Sequence, residues 1–377
     1  MSAPSINNRA AVHPAGRRPR AIVYCDANLG QIDGKTANGL VRHSERYEII
    51  SVIDHVQAGR DAGDVIDGTP NGIPCCVDLD EALAVAGFTP DLFIVGVAPT
   101  SGLLTTHERT VLLDAMSRGL GIVNGLHEFL NDDPEFAAAA AIYGVEIMDI
   151  RRPKSKADLH MFDGSILGVT CPRIAVLGTD GAIGKRTTAT ILTRALNGCG
   201  VRAVLVGTGQ TSLMQGALHG VALDAVPAQF VAGELEAAVV GAFEAEHPDV
   251  IIVEGQGALS HPSYLSSTGI LRGSRPEGVI LQHAPARRAI SDFPAFPMPT
   301  PASEIHLIET FADTRVIGLT INHENMTDDE VELAITLYEL ELGIPVTDPL
   351  TRSPDRLVEM VLAAFPDLEE KLTAGAQ

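Results

Sequence analysis

The sequence predicts an α/β protein built from two doubly wound parallel sheets, and three observations carry that prediction. Short apolar runs rich in β-branched residues recur along the chain, each followed by a polar or glycine-rich turn and then a helical pattern. One of these junctions, 178–188, is a glycine loop set between a strand and a helix. The chain also has 377 residues, more than one hydrophobic core ordinarily serves. The expected divisions are a flexible N-terminal arm at 1–20, a Rossmann-like domain at 21–165 and a P-loop NTPase-like domain at 166–377.

In the first half, 21–25 reads as a strand and runs into a loop dense in Gly, Asn and Asp. Lys35, Thr36 and Asn38 stand where a helix begins, and 47–54 is the second strand, so the segment is a βαβ unit. No Gly-x-Gly-x-x-Gly follows the first strand, which argues against a dinucleotide site. A polar loop is expected at 55–74, then a helix at 78–86 and a strand at 91–97. A helix at 106–118, a strand at 121–124, an alanine-rich helix at 136–142 and a strand at 145–149 complete this half. In parallel sheets of this kind ligands bind beyond the strand C-termini. Asp26, Lys35, Asn38, Asp54, Thr100, Ser101, Asn124 and His127 fall on that edge and together suggest one lobe of a cleft. The basic stretch 151–165 is the domain connection.

In the second half, strands are expected at 173–177, 202–207, 249–253, 278–283, 315–322 and 344–346. Helices are expected at 189–196, 233–247, 304–312, 328–343 and 354–364. The segment 284–302 holds five prolines and reads as loop. Asn322 ends a strand where nucleotide-binding relatives can touch a base.

The loop at 178–188 carries the chemistry. Gly178, Thr179, Asp180, Gly181, Ala182, Ile183, Gly184, Lys185, Arg186 and Thr187 lie between strand and helix. Backbone N–H groups and the helix N-terminus there point at an anion, and Lys185 adds a point charge. The common pattern is Gly, four residues, then Gly-Lys-Ser/Thr. Here five residues separate Gly178 from Gly184, and Arg186 stands where a magnesium-binding hydroxyl normally sits. Thr187 is one place late, a rotation of about 100° along a helix. The cradle therefore suits a phosphorylated ligand that is bound but not hydrolysed. The longer Gly-Thr-Asp…Gly-Lys loop is similar to that of dethiobiotin synthetase, and so is Glu254-Gly-Gln-Gly257. Glu254 ends a buried strand, the Walker B position.

A formal net charge of −21 and a pI near 4.9 argue against nucleic acid, which needs basic surface. No apolar run reaches the roughly 18 residues of a membrane span, and no signal peptide is visible. Five cysteines, at 25, 75, 76, 171 and 199, show no metal or redox spacing. A reduced cytoplasmic protein with ordinary thiols is the expectation. Nothing specifies an oligomer, although apolar helices on both halves allow one, and a homo-oligomer is expected. Metal-ligand spacing is absent, so no metal is expected.

Lys185, Glu254, His261, Arg272, Arg275, His283, Arg287 and Arg288 are expected around the second cleft. A phosphate cradle, an acid, a histidine and several arginines suit group transfer to an anionic substrate. Arginine suits bidentate carboxylate capture. On this reading Lys185 supports catalysis and Glu254 or His261 takes a proton from an amine. Arg272, Arg275, Arg287 and Arg288, with Lys35 and Asn38, hold substrate. No nucleophile elbow or Cys/His signature supports covalent catalysis.

The stretches 34–43, 58–63, 178–185, 254–262 and 282–285 together resemble a two-domain bacterial family that contains the D-glutamate N-acetyltransferases. The resemblance runs from about residue 20 to the end. It implies acetyl transfer from acetyl-CoA, as cosubstrate, to the amine of D-glutamate. CoA carries phosphates for the loop, and acetyl transfer needs neither magnesium nor hydrolysis, which matches Arg186. An ATP-dependent ligase of the dethiobiotin synthetase kind, using Lys185, Thr187 and Glu254, is the alternative enzyme. A non-catalytic CoA- or nucleotide-sensing protein is the alternative outside catalysis.

Overall fold

The computed structural model describes residues 17–99 and 101–374. Most of the N-terminal arm and Thr100 lie outside the described residues. The chain separates into two compact units, Met1–Lys154 with Gly209–Leu218, and Ser155–Thr208 with His219–Gln377.

In the first unit six parallel strands alternate with helices: β1 (Arg20–Tyr24), α1 (Lys35–Arg42), β2 (Glu48–Ile53), α2 (Ala62–Asp67), β3 (Cys75–Cys76), α3 (Leu79–Ala86), β4 (Leu92–Val95), α4 (Thr106–Ser117), β5 (Gly121–Asn124), α5 (Pro134–Tyr143) and β6 (Ile147–Asp149). The strand order is β3-β2-β1-β4-β5-β6. Helix starts follow local chemistry: Asp61, Asp78, Thr105 and Asp133 each accept backbone N–H groups as caps. The 55–74 stretch, expected as loop, contains α2. Its hydrophobic signal is too short to read, and Asp61 with left-handed Gly68 (φ 67°) bounds it. Arg17, within the arm expected at 1–20, is paired at 2.6 Å with Asp91.

That strand order is the dinucleotide-binding one, whose crevice lies between the first and fourth strands. Here the loop between β1 and α1 fills the position. Leu29 is buried and its N–H donates to Asp54 at 2.9 Å. The Ala37 N–H, in the first turn of α1, donates to the Gly96 carbonyl. The Ala37 N–H of this helix start is thus already satisfied from within the chain.

The second unit holds β7 (Arg173–Gly178), α6 (Lys185–Gly198) and β8 (Ala203–Gly207). The short α7 (Gln210–Gln215) that follows is grouped with the first unit, where Gln215 donates to the Gly39 and His43 carbonyls. The second unit continues with β9 (His219–Gly220), α8 (Val231–Glu246), β10 (Val250–Glu254), α9 (Ser266–Ser274), β11 (Gly278–His283), β12 (Ala289–Ile290) and β13 (Phe293–Pro297). It ends with α10 (Pro301–Phe311), β14 (Arg315–Ile321), α11 (Asp328–Leu342), β15 (Val346–Thr347), α12 (Asp355–Ala364) and α13 (Glu369–Ala374). Its main sheet is parallel, in the order β15-β14-β11-β7-β10-β8-β9.

Alternation along the strands divides the core in two. Ala175, Leu177, Ile251, Val253, Val279 and Leu281 face one layer, which includes Leu235 and Val239 of α8. Ile174, Val176, Val250, Ile252 and Ile280 face the other, with Leu192 and Leu196 of α6. Both faces are covered, so the strands read as continuous apolar runs. Each of the Val, Leu and Ile side chains among them contributes roughly 1.5–3 kcal/mol of burial. The 284–302 segment is not all loop. β12 and β13 form an antiparallel hairpin, and its prolines are tolerated because β13 is exposed along its length. Helices α7, α9 and α13 were not expected either.

Candidate functional site

Three neighbouring strands of the second unit end on one edge. β7 stops at Gly178, β10 at Glu254 and β11 at His283, and the pairing sets Glu254 opposite Val176 and Gln282 opposite Gly178. α6 begins at Lys185 on the same edge, so its N-terminal amides face whatever lies beyond the strands. A strand, a loop of six residues (179–184) and a helix start thus converge on a point where chains leave the sheet in opposite directions.

The loop owes its course to close approach and to two unusual dihedrals. A Cβ at Gly178 would lie 2.8 Å from the Gln282 carbonyl, and one at Gly255 would lie 2.0 Å from the Val176 carbonyl. Gly184 adopts φ 100°, which suits glycine. The other left-handed residue of the loop is Ala182, at φ 51°. Thr179 is buried, takes the Gln282 carbonyl through its N–H at 3.0 Å and meets His283 Nδ1 at 2.8 Å. Lys185 is buried and its ammonium donates to the Asp180 carbonyl. Thr188 and Thr320 both donate to Gln282 Oε1 at 2.6 Å.

Asp180 organises the surroundings. Its carboxylate accepts from the Gly181 N–H at 2.7 Å, from Arg287 at 2.7 Å and from the Ser291 N–H at 3.0 Å. Arg287 also donates to the Gly181 carbonyl and, through two nitrogens, to Glu324. Its fork is spent on the loop. Expected as a substrate clamp, Arg287 instead holds the cradle in shape.

Glu254 is buried at the end of β10, where its carboxylate accepts the Thr208 N–H at 2.8 Å. Gln256 donates to the Thr208 hydroxyl at 2.8 Å and so steadies the same corner. The loop beyond is held by Glu304. This buried carboxylate accepts from the Leu259 and Ser260 N–H groups and from the Ser260 hydroxyl at 2.6 Å. Burial pushes the Glu304 carboxyl above its usual range. Nothing in the sequence marks it, because an acid in the first turn of a helix ordinarily needs no other reason.

His261 lies at the end of that loop with its side chain fully buried. Ser263 and Tyr264 N–H groups both donate to Nδ1 at 3.2 Å. The Tyr264 ring stacks on it, with centroids 4.2 Å apart. Burial holds the imidazole below its ordinary pKa, against the opposing pull of Asp180 and Asp292. Its Nδ1 lone pair is taken, which removes His261 from the role of general base. His283 is driven down to about 4, by burial first and by Arg287 second, and is neutral near pH 7.

Other expected substrate residues fall elsewhere. Arg275 ends α9, and its carbonyl accepts from Arg173 at the start of β7, about 16 Å of strand away from Gly178. Arg272, one turn earlier, stacks over Phe311 at 5.1 Å. Both lie at the far end of the sheet from the cradle. Arg288 is exposed, next in chain to the hairpin. In the first unit Lys35 is exposed at the start of α1, and Asn38 spends its amide on the Gly30 N–H and the Gln31 carbonyl. Asp54 and Asn124 likewise hold turns, through Leu29 and Val56 in one case and Leu126 in the other.

Comparison with known proteins places this geometry. A family profile described as "Domain of unknown function (DUF1611_C) P-loop domain" matches residues 160–358, and a companion described as "Domain of unknown function (DUF1611_N) Rossmann-like domain" matches 55–153. A protein of Tritonibacter scottomollicae named D-glutamate N-acetyltransferase is 30% identical over 291 residues, covering 76% of this chain and 84% of its own. One of the same name from a Pseudoalteromonas species is 28% identical over 272 residues, covering 71% and 80%. The crystal structure of a DUF1611 family protein from Anabaena variabilis superposes with a TM-score of 0.85 at 30% identity, covering 92% of this chain and all of that one. With both domains matched in sequence and the fold matched across nearly its whole length, the chain belongs to the DUF1611 family.

Proposed function

We propose that the protein is an N-acetyltransferase that moves acetyl from acetyl-CoA to the amino group of D-glutamate. The observation that carries the reading is the cradle at 178–185, with Arg186 in place of the magnesium-binding hydroxyl. Two relatives named for this activity support it. In this reading CoA phosphates lie against the loop amides and Lys185, as the partly buried helix start favours. Glu254, at the adjoining strand end, accepts a proton from the substrate ammonium. The freed amine attacks the thioester carbon, the C–S bond breaks, and the amide forms. Of the two protons the nitrogen loses, one ends on the departing thiolate and one passes to water. Arg288 is the arginine of the original four left to meet substrate carboxylates.

The test is thiol release from acetyl-CoA against a panel of D- and L-amino acids in EDTA. Release with D-glutamate alone supports the donor, the acceptor and metal independence together. Release of ADP from ATP only when magnesium is supplied moves the assignment to a ligase. Glu254→Gln is expected to lower kcat by about 10²–10⁴ with the KM for acetyl-CoA little changed. Full activity in that variant removes Glu254 from the mechanism.

A further inference from the structure

We propose that His261 is a neutral hydrogen-bond donor whose Nε2–H is held ready for an oxygen of the ligand seated in the 178–185 loop. The proposal rests on the reading of that loop as a ligand cradle.

The argument begins with valence. A neutral imidazole has one N–H and one lone pair. Two backbone N–H groups, from Ser263 and Tyr264, converge on Nδ1 at 3.2 Å each. A hydrogen on Nδ1 would meet both of them head on, so the lone pair is there and the hydrogen is on Nε2. Among the described residues Nε2 has no hydrogen-bond partner, although the side chain is fully buried. A buried donor left unpaired is costly, and such groups are rare in folded proteins.

The direction of that donor is set by its neighbours. The Asp180 Oδ1 carboxylate oxygen lies 3.9 Å from Nε2, beyond hydrogen-bond reach. Asp180 cannot swing closer without giving up Gly181, Arg287 and Ser291. Tyr264 stacks on one ring face, and Phe293 approaches edge-on at 5.8 Å. The charged groups facing the ring are Asp180 from the loop, Lys185 from α6 and Asp292 from the hairpin. The ring is thus clamped by two backbone donors and two aromatic neighbours, with its one free hydrogen on the side of the cradle. Glu304 fixes the loop that carries it. This is the construction of a positioned donor and not of a proton acceptor.

The test reads the ring directly. Nitrogen-15 NMR of the full chain labelled at histidine, with His261→Gln to assign the signal, is expected to report the Nε2–H tautomer at pH 7. A hydrogen on Nδ1, or an imidazolium at pH 7, overturns the proposal. Addition of CoA is expected to shift the Nε2–H signal, and inorganic pyrophosphate is titrated in parallel. A shift with pyrophosphate but not with CoA keeps the donor and sinks the acyl-CoA reading. A shift with neither sinks the donor role. In turnover, His261→Ala is expected to lose about tenfold or more in kcat/KM. His261→Gln, whose amide nitrogen reaches the same place, recovers part of it. An acid limb in the wild-type pH profile that disappears in both variants would return His261 to the role of base.

Discussion

Ala182 is one of five non-glycine residues with positive φ among the described residues, and the one that lies in the 178–188 loop. Its φ of 51° lies in the left-handed region, which for an alanine costs roughly 1 kcal/mol. Ala182→Gly removes that cost and is expected to raise the unfolding free energy slightly, by up to about 1 kcal/mol, and the denaturation midpoint with it, with the cradle intact. A lower midpoint would mean that the methyl group makes contacts worth more than the strain. His283 makes a second prediction, through linkage. Its folded pKa, about 4, lies below its ordinary value of 6.5, so the folded state favours the neutral ring. The stability this contributes is full above pH 6.5 and is lost as pH falls from 6.5 toward 4, to a total of roughly 3 kcal/mol. Chemical denaturation of wild type and His283→Asn between pH 4 and 7.5 checks it. The wild type should lose more over that window, and parallel curves would exclude His283. Neither property is visible in the sequence. Ala182 is one more small residue in a glycine loop, and His283 packs against the ring of Tyr338, which is distant in the chain.

Strands β7 and β10 and the turn after each form the part on which the cradle stands. Gly255 lies where a Cβ would sit 2.0 Å from the Val176 carbonyl, a backbone atom that cannot step aside. Gly255→Ala is expected to force the two strands apart, at a cost of about 2–3 kcal/mol in denaturation experiments. Gly181→Ala is the control. Its nearest neighbour would be the Tyr264 ring at 3.9 Å, so the change should stay within about 0.5 kcal/mol. Equal losses in the two variants would contradict the packing argument. The sequence shows both glycines in Gly-x-x-Gly or Gly-x-Gly context and does not separate them. The β12–β13 hairpin shows the opposite difficulty. Its prolines read as loop because sequence patterning does not reveal that a strand is exposed along its whole length. α7 escaped notice for a third reason. Its six residues are too few for a periodic signal, and five of them are buried.

Taken together, the charges make a prediction of their own. A net charge of −21 repels itself, most strongly when salt is low. Raising ionic strength from about 0.01 M to about 0.15 M shortens the screening length from about 30 Å to about 8 Å. The melting temperature should therefore rise with salt, and a fall would show that surface ion pairs outweigh the repulsion. No helix among the described residues is long and apolar enough to cross a membrane. What the sequence by itself determined is the α/β alternation, the two parallel sheets and the loop at 178–185. Each rests on local patterns: period-two or continuous apolar runs, helix caps, and glycines beside a lysine. What only the tertiary structure decided is which charged groups reach the loop. Arg287 was within reach but spent on Asp180 and Glu324, Arg272 and Arg275 lay at the far end of the sheet, and Glu304 arrived unannounced. The reason is that strand order and side-chain direction assemble the site from segments more than a hundred residues apart, and no local pattern encodes a meeting at that distance.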